Sequence, residues 1–235
     1  MDVDAGKQAV RERVWAALDQ ADAVDPPGAA GHIPSFVGAE AAARRLAELD
    51  VWPQARVIKA NPDKAQLPVR ETALREQKLL YMAVPRIATP KPFYLLDPTL
   101  VGVDAASSKR AAEVAETVGP EEMQPVDIVM CGSVAVDNRG VRIGKGAGFS
   151  DIEMGLLAEV GLLGPHTTIV TTVHQLQVVD KDLPETEHDF RVDLIVTPDE
   201  VIRCAPSPRP KGIVWEHLSD EKITAIPALA ARRGR

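Results

Sequence analysis

The sequence predicts an α/β fold in which a doubly wound, mostly parallel sheet is covered by helices on both faces, giving three layers. Short apolar runs rich in β-branched residues, such as 126–131 and 168–173, alternate along the chain with stretches of helical periodicity. The chain has 235 residues, which is enough for one such domain with a substantial hydrophobic core. We therefore expect a single domain over 1–235, with 206–235 as a carboxyl-terminal extension.

The first half of the chain alternates helical stretches with short strands. Val10, Val14 and Leu18 recur at the spacing of one helical face. Asn61-Pro62 ends the first strand, because proline lacks the amide group that a central strand needs. The patterns predict helices over 7–18 and 39–49 and strands over 56–60, 78–84 and 93–96.

The second half repeats this alternation. Ser107 is a good helix cap, and it predicts a helix over 107–118 whose apolar residues, Val114 among them, face inward. The remaining patterns predict strands over 126–131, 168–173, 192–197, 201–204 and 213–215, helices over 152–160 and after Ser219, and a solvated basic tail over 228–235.

The segment 142–151 reads Arg-Ile-Gly-Lys-Gly-Ala-Gly-Phe-Ser-Asp and connects a strand to a helix. Its three glycines stand at every second position, so the backbone can turn sharply and a ligand can approach the amide groups. Ser150 or Asp151 can cap the following helix, whose positive end would lie beside Arg142 and Lys145. These features predict a phosphate-binding cradle, although the spacing fits neither a Walker A loop nor a dinucleotide fingerprint. The alternative is a flexible connection whose glycines allow close packing.

Other polar residues are candidates for ligand contacts. Lys7 and Arg11 are four residues apart and share one helical face, for which a solvated basic face is the ordinary interpretation. Arg86 follows a predicted strand and either faces a ligand or forms a salt bridge at the rim of the sheet. His174 and His188 lie near strand ends, where we interpret them as structural or, at most, as contacts to substrate.

The composition narrows the class of function. A net charge of −7 and an aromatic content of 4% argue against a nucleic-acid binder, which needs a basic face and stacking platforms. Cys131 and Cys204 lie in apolar contexts, so we expect reduced, packed thiols. The sequence presents no recognisable signal peptide or bilayer-spanning run. We expect a cytoplasmic protein, monomeric or homodimeric, that acts on a small molecule.

Residues 142–151 resemble the glycine-loop signature of the 5-formyltetrahydrofolate cyclo-ligases (methenyltetrahydrofolate synthetases), Arg-Leu-Gly-x-Gly-x-Gly-Tyr-Tyr-Asp-Arg. The resemblance is closer to the methenyltetrahydrofolate synthase domain-containing branch of that family and covers roughly residues 7–203. The other segments that carry it are 7–15, 32–34, 38–40, 59–63, 132–136, 171–180 and 188–193.

The resemblance implies a Rossmann-like fold related to sugar-phosphate isomerases and CoA transferases, and a reaction that uses ATP and Mg²⁺. ATP would phosphorylate the formyl oxygen of 5-formyltetrahydrofolate, and a folate nitrogen would then close the ring and expel phosphate. By the resemblance Lys145 and Arg142 are catalytic, and Asp151 and Asp193 hold the metal. Substrate contacts would come from Arg86, Phe149 and His174. The ATP site would comprise Lys7, Arg11, Arg142, Gly144, Lys145, Gly146, Ala147, Gly148, Phe149 and Ser150.

Two departures from the family pattern leave a second function open. The enzymes follow their glycines with Tyr-Tyr-Asp-Arg, where this chain has Phe-Ser-Asp-Ile at 149–152. Their acidic folate-binding segment, Glu-x-x-Thr after the first core strand, is replaced by Asn-Pro-Asp-Lys at 61–64. The alternative is therefore a non-catalytic nucleotide- or folate-binding protein derived from the enzyme. A different sugar-phosphate or CoA-type reaction is a third interpretation, with no motif of its own here.

Overall fold

The structure is a computed structural model that describes residues 2–233. Its helices are α1 (Val3–Gln20), α2 (Ala39–Ala47), α3 (Val51–Gln54), α4 (Leu67–Arg75), α5 (Ser108–Val114), α6 (Phe149–Glu159), α7 (Asp220–Ala225) and α8 (Pro227–Ala230). None of these helices is both long and apolar enough to cross a bilayer. The strands of the same residues are β1 (Val57–Ala60), β2 (Leu79–Ala83), β3 (Phe93–Leu96), β4 (Glu116–Val118), β5 (Val126–Cys131), β6 (Ala135–Asp137), β7 (Arg142–Ile143), β8 (Leu163–Thr172), β9 (Val178–Val179), β10 (Leu194–Val196) and β11 (Val201–Arg203).

The central sheet of the described residues has eight strands in the order β11-β10-β8-β5-β1-β2-β3-β4. The five strands from β10 to β2 are parallel to one another. Antiparallel pairs extend the sheet at both edges. In sequence order, strands are added on both sides of β1, as in doubly wound folds. The predicted α/β fold with a mostly parallel sheet is confirmed.

Both faces of the sheet are buried. Alternate residues of β5 enter different hydrophobic clusters, because successive side chains of a strand point to opposite faces. Ile128 and Met130 belong to a cluster that includes residues of α2, α4 and α5. Val129 and Cys131 belong to a cluster that includes residues of α6. Helices therefore cover the sheet on both sides, which gives the three layers.

A small second sheet, in the order β7-β6-β9, supports α1. The predicted stripe of Val10, Val14 and Leu18 shares a hydrophobic cluster with Ala135 and Ile143 of this sheet. Burial of that stripe fixes the rotation of α1 about its axis. Since β7 leads directly into the glycine segment, α1 is held beside that segment.

The carboxyl-terminal extension, of which the structure describes 206–233, packs on α6. Ile223 and Leu229 share a hydrophobic cluster with Ile152 and Leu156 of α6. The prediction of a solvated tail over 228–235 is wrong at its start, because Ala228 and Leu229 are 0% exposed, whereas Ala230, Ala231 and Arg233 are exposed. The apolar side of α6 needs a cover, and the extension supplies it. The last two residues of the tail, 234–235, lie outside the described residues.

Two other predicted elements differ from the structure. The helix expected over 107–118 ends at Val114, and the next residues form β4, which pairs with β3. Sheet pairing buries Val118 and satisfies the backbone, and this outweighs the helical pattern. The strand expected over 213–215 is replaced by a single 3₁₀ turn at Trp215–His217.

Cys131 and Cys204 are free thiols, as expected. Burial raises the pKa of the Cys131 thiol. Burial is also the main cause that raises the pKa of Cys204 to about 11. Both thiols therefore stay protonated at neutral pH and act as packed, unreactive groups.

Candidate functional site

A cavity of about 380 Å³ lies at the carboxyl ends of β1 and β2. Asn61 and Val84, which follow these strands, line it. The other walls come from α1, from the glycine segment 142–151 and from the carboxyl-terminal extension. Ligands of open α/β sheets bind at this edge, because the loops that follow parallel strands converge there.

Glycine is required at two positions of the glycine segment. Gly146 and Gly148 have φ angles of 105° and 70°, in the left-handed region that disfavours a Cβ atom. Gly148 is the N-cap of α6, so the predicted cap by Ser150 or Asp151 is wrong. Ser150 Oγ instead accepts a hydrogen bond from Asn61 Nδ2 at 2.9 Å. The first N–H groups of α6 have no acceptor within the helix and lie at its positive end, which suits an anion.

The first helix brings two cations to the glycine segment. Arg11 Nε donates a hydrogen bond to the Gly144 carbonyl oxygen at 2.7 Å. Arg11 Cζ lies 3.4 Å from the point where a Cβ on Gly146 would stand, so the absence of that atom leaves room for the guanidinium. Lys7 is 6% exposed and forms an ion pair with Asp189. The two helical cations and the loop thus lie together on one side of the cavity.

Several cations that line the cavity form no ion pair with the residues the structure describes. They are Arg11, Arg86, Lys145 and Lys222. Burial is the main cause that lowers the pKa of the Arg11 guanidinium, and the positive charge of Arg142 acts in the same direction. An anion in the cavity would relieve both effects. The site therefore offers local positive charge on a protein whose net charge is −7.

Arg142 lies beneath the loop and is 4% exposed. Its Nη2 donates to the Gly132 carbonyl oxygen at 3.0 Å, and its Nη1 lies 3.4 Å from Asp151 Oδ1. The guanidinium carbon is 4.7 Å from the centroid of the Phe190 ring. Its buried Nε has no hydrogen-bond partner in the described residues. A buried donor left without an acceptor is costly, which indicates that the site is complete only with a ligand or water.

The Asp151 carboxylate shares this part of the cavity. Burial is the main cause that raises its pKa, and the Arg142 guanidinium is the first influence that opposes the shift. A cation bound beside Asp151 would favour its ionised form. A bound cation would therefore stabilise the ionised form of Asp151, which lies in the first turn of α6 next to the proposed phosphate-binding loop.

A second group of lining residues carries hydrogen-bond acceptors. Asn61 and Glu153 line the cavity, and Lys59 behind them forms an ion pair with Glu153 and donates to Asn61 Oδ1 at 3.1 Å. The Asp63 carboxylate accepts no hydrogen bond from the described part of the chain. Burial raises its pKa, and the nearby charge of Lys145 is the strongest opposing influence. The cavity therefore combines a cationic part with a part that would accept N–H or O–H groups.

The loop after β1 is fixed by a buried arginine of α4. Arg70 is 1% exposed, and its guanidinium donates to the carbonyl oxygens of Asn61 at 2.6 Å, Asp63 at 2.9 Å and Ala106 at 2.8 Å. Burial lowers the pKa of Arg70 to about 10, so the group stays charged at neutral pH. Asn61 and Asp63 are consequently held on a rigid backbone.

The carboxyl-terminal extension also reaches the cavity. His217 and Lys222 line it, and His217 Nδ1 lies 2.8 Å from His188 Nδ1. Sequence patterns gave no reason to place these residues near the glycine segment. Only the packing of the extension against α6 brings them there.

Two residues expected at the site lie elsewhere. The Asp193 carboxylate accepts hydrogen bonds from Arg209 and, at 2.7 Å, from the Ile169 amide, at the amino end of β10. His174 caps a 3₁₀ turn, where its Nδ1 accepts from the Leu176 amide at 3.2 Å. Neither lines the cavity within the described residues. The metal role of Asp193 was expected from the family resemblance, whereas in the structure its carboxylate pairs with Arg209.

Arg86 does line the cavity, in an unusual backbone conformation. Its φ angle is 61°, and the φ angle of Ile87 is 51°. Such angles are strained for residues with a side chain and cluster at functional sites. Ile87 is 0% exposed, so its packing holds the turn in place.

Comparison with known proteins yields one family. The sequence profile of the 5-formyltetrahydrofolate cyclo-ligase family matches residues 3–198. The chain is 39% identical over 239 residues to the methenyltetrahydrofolate synthase domain-containing protein of Mus musculus, covering 97% of this chain and 63% of that protein. It is 35% identical to the Homo sapiens protein of the same name, covering 99% of this chain and 63% of the relative. The chain thus spans about three fifths of the length of these curated relatives.

A solved structure supports the fold. The NMR structure of Aquifex aeolicus 5,10-methenyltetrahydrofolate synthetase matches with a TM-score of 0.55 and 22% identity, covering 90% of this chain and 99% of that one. A likeness at this identity concerns the fold alone. The profile match and the similarity to the relatives show more than the fold. The chain belongs to the 5-formyltetrahydrofolate cyclo-ligase family.

Proposed function

We propose that this protein is an ATP- and Mg²⁺-dependent enzyme that converts 5-formyltetrahydrofolate to 5,10-methenyltetrahydrofolate, or performs a related phosphoryl activation. The observation that carries the proposal is the set of unpaired cations around a glycine loop that opens α6. In a member of the cyclo-ligase family, such a site is suited to the triphosphate of a nucleotide.

The proposed reaction has two steps. The formyl oxygen attacks the γ-phosphorus of ATP, the bond to the bridging oxygen breaks, and ADP leaves. The second folate nitrogen then attacks the activated formyl carbon, loses its proton, and the C–O bond breaks to release phosphate. A poor leaving group has thereby become a good one.

The residues of the cationic part would stabilise this charge transfer. Arg11 and Lys145, with the amides of the glycine segment and of the first turn of α6, would hold the phosphates. Arg142 would support the loop from below and bring its unpartnered Nε to the anion or to a bound water. Positioning and charge neutralisation are the main demands of phosphoryl transfer, and these groups meet both.

The residues present fit a magnesium ion that binds together with a nucleotide. Mg²⁺ needs oxygen ligands and usually takes one or two carboxylates, with water and phosphate oxygens completing the set. Asp151 meets that need, because it lines the cavity and its burial raises its pKa. Asp193 is omitted from the proposal, since Arg209 occupies its carboxylate. The ion would neutralise charge on the phosphates.

The substrate would lie against the remaining wall. Phe149 offers a ring at the start of α6, Arg86 a cation, and Asp63 a carboxylate free to accept N–H groups. A reduced folate carries an aromatic body, N–H donors and carboxylates, so each group has a counterpart. His174 is left out, because its ring caps a turn outside the cavity.

The experiment is a turnover assay on the purified protein. With ATP, Mg²⁺ and 5-formyltetrahydrofolate, we expect the absorbance of the methenyl product to rise. Arg11→Ala and Lys145→Ala should each lower kcat/KM by roughly 10- to 1,000-fold, because each removes charge from the transition state. Lys109→Ala is the matched control, since Lys109 is exposed on α5 and does not line the cavity. Turnover that the two cavity variants leave intact would contradict the proposed roles.

The alternative, a non-catalytic nucleotide- or folate-binding protein, is favoured by the altered segments at 61–64 and 149–152. Calorimetry separates the two functions. Binding of ATP or 5-formyltetrahydrofolate without product formation would support the alternative. Absence of binding to either ligand would contradict both functions.

A further inference from the structure

The carboxyl-terminal extension lies beyond the part of the chain that matches the family profile, which ends at residue 198. It nevertheless lines the proposed nucleotide cavity with His217 and Lys222. The proposed function described so far draws its phosphate contacts from Arg11, from the glycine segment and from the first turn of α6. The extension therefore brings groups to the cavity that this function has left without a role.

The extension is seated firmly on α6. At Gly155 of α6, an added Cβ would lie 2.8 Å from Ile213 Cγ1 and 3.1 Å from the backbone nitrogen of Ile213, so the two backbones are in close contact. Ile213 N also donates a hydrogen bond to Glu159 Oε1 at 3.3 Å. Ile223, on α7, packs in the cluster that covers α6. Side chains on α7 consequently have fixed positions relative to the start of α6.

The ammonium group of Lys222 lies beside the amino terminus of α6. The Ser219 hydroxyl caps α7 and accepts a hydrogen bond from the Lys222 amide at 3.1 Å. Lys222 Nζ lies 2.9 Å from the point where a Cβ on Gly148 would stand, and Gly148 is the N-cap of α6. In the described residues, Lys222 forms no ion pair within 4 Å.

This arrangement of positive charge is electrostatically unfavourable for the protein by itself. The amino terminus of a helix carries partial positive charge, and lysine is normally disfavoured beside it. Lys145 of the same cavity adds a further unpaired cation. The buried Nε of Arg142, without a hydrogen-bond partner, independently indicates a missing acceptor at this site. An anion between the loop and α7 would lie beside Lys222 and the positive end of α6.

We infer that Lys222 is a phosphate-binding residue. Through it the carboxyl-terminal extension contributes a contact to the nucleotide site, as the first helix does through Arg11. The inference rests on the proposed function, since it assigns a further contact to the same triphosphate. Lys222 and the amides of the first turn of α6 would hold one phosphate group between them. His217, in contact with His188, would help fix the extension over the cavity.

The test measures binding of Mg-ATP and of inorganic tripolyphosphate by calorimetry. Lys222→Ala should raise the Kd for both ligands roughly ten-fold, because a charge-assisted contact is lost. It should also reduce the dependence of Kd on salt concentration, which a purely structural role would leave unchanged. Lys222→Arg should restore most of the affinity. Lys211→Ala is the matched control, since Lys211 is an exposed lysine of the same extension that does not line the cavity.

The outcomes separate this inference from the proposed function. If the wild type binds and Lys145→Ala weakens binding while Lys222→Ala behaves like Lys211→Ala, the role of Lys222 is overturned and the nucleotide site stands. If the wild type binds neither ligand, the nucleotide site itself is overturned. If Lys222→Ala and Lys222→Arg weaken binding equally and leave its salt dependence as in the wild type, the charge of Lys222 has no part in binding.

Discussion

Asp63 illustrates how a single residue can be kept at a cost in stability. It lines the cavity, and its carboxylate has no hydrogen-bond partner among residues 2–233. Burial raises its pKa above the ordinary value of 3.8. For an acid this means that the folded protein holds its proton more tightly than the unfolded chain does. Stability is then greatest below the unfolded pKa and falls as the pH rises through the folded value.

We therefore predict that Asp63→Asn raises the free energy of unfolding at pH 7. Asparagine has the same shape and carries no charge, so the cost of burying a carboxylate disappears. The difference from the wild type should shrink as the pH is lowered and should vanish below 3.8, where both states come to hold the proton. Urea unfolding at a series of pH values measures this. Asp50→Asn, at an exposed position, is the control. A variant less stable than the wild type at pH 7 would contradict the account.

The residues of the site differ in how far sequence could identify them. The glycine segment is local and resembles a known signature, so its residues could be named in advance. Lys7 and Arg11 followed from the same resemblance. The segment that holds Asp63 was singled out by the resemblance, but Lys222 could not be named, because nothing in its local sequence indicates which distant surface it meets. Tertiary packing alone supplies that information.

At the scale of elements, α6 links the chemistry to the extension. Its first turn faces the cavity, and its apolar side carries the cluster that holds α7 and α8. Gly155 is the position of closest approach, since an added Cβ would meet the backbone of Ile213. A small change at this point should act on the whole extension.

We predict that Gly155→Ala loosens the extension while leaving the sheet intact. Alanine favours the helix itself by about 1 kcal/mol, so any loss must come from displaced contacts. Amide hydrogen exchange in 219–229 should accelerate roughly ten-fold or more, and exchange in β5 should stay unchanged. Gly164→Ala is the control, because its nearest neighbouring atom is 4.0 Å from the added Cβ. Equal protection of the extension in both variants would refute this account.

Elements were predictable where one face is buried along a regular period. The parallel strands β1, β2 and β5 and helices α1 and α2 follow such patterns, and they were expected within a few residues of their observed bounds. The helix expected over 107–118 ends at Val114, because the last residues of that range form β4 and pair with β3. The two-residue strands β7 and β9 are too short to show any period, and they pair with β6 in the small sheet on which α1 packs.

At the scale of the whole molecule, the described elements share connected cores. The main sheet is buried on both faces, and the extension is joined to it through α6 and through the ion pair of Arg209 with Asp193. The single domain expected over 1–235 stays a prediction. The overall architecture could be predicted from the alternation of strands and helices, whereas the placement of the extension could not, because its cover of α6 has no local signal.

We predict that the protein unfolds in one cooperative transition that includes the extension. Contacts of this extent couple the extension to α6, so neither should melt alone. Scanning calorimetry should give one peak whose van't Hoff and calorimetric enthalpies agree. Trp215 fluorescence, isolated by comparison with Trp215→Phe, should change at the same temperature as the far-ultraviolet circular dichroism. An earlier change at Trp215 would show that the extension is a separate unit.

The meeting of α1 with the carboxyl-terminal extension at one cavity has a consequence for biosynthesis. In a nascent chain, Lys7 and Arg11 leave the ribosome well before Lys222 does. If these residues have the proposed roles, a nascent chain cannot make all of its contacts to ATP until Lys222 has been synthesised. Ligand would then stabilise chains that include Lys222 and leave shorter nascent chains exposed to proteolysis.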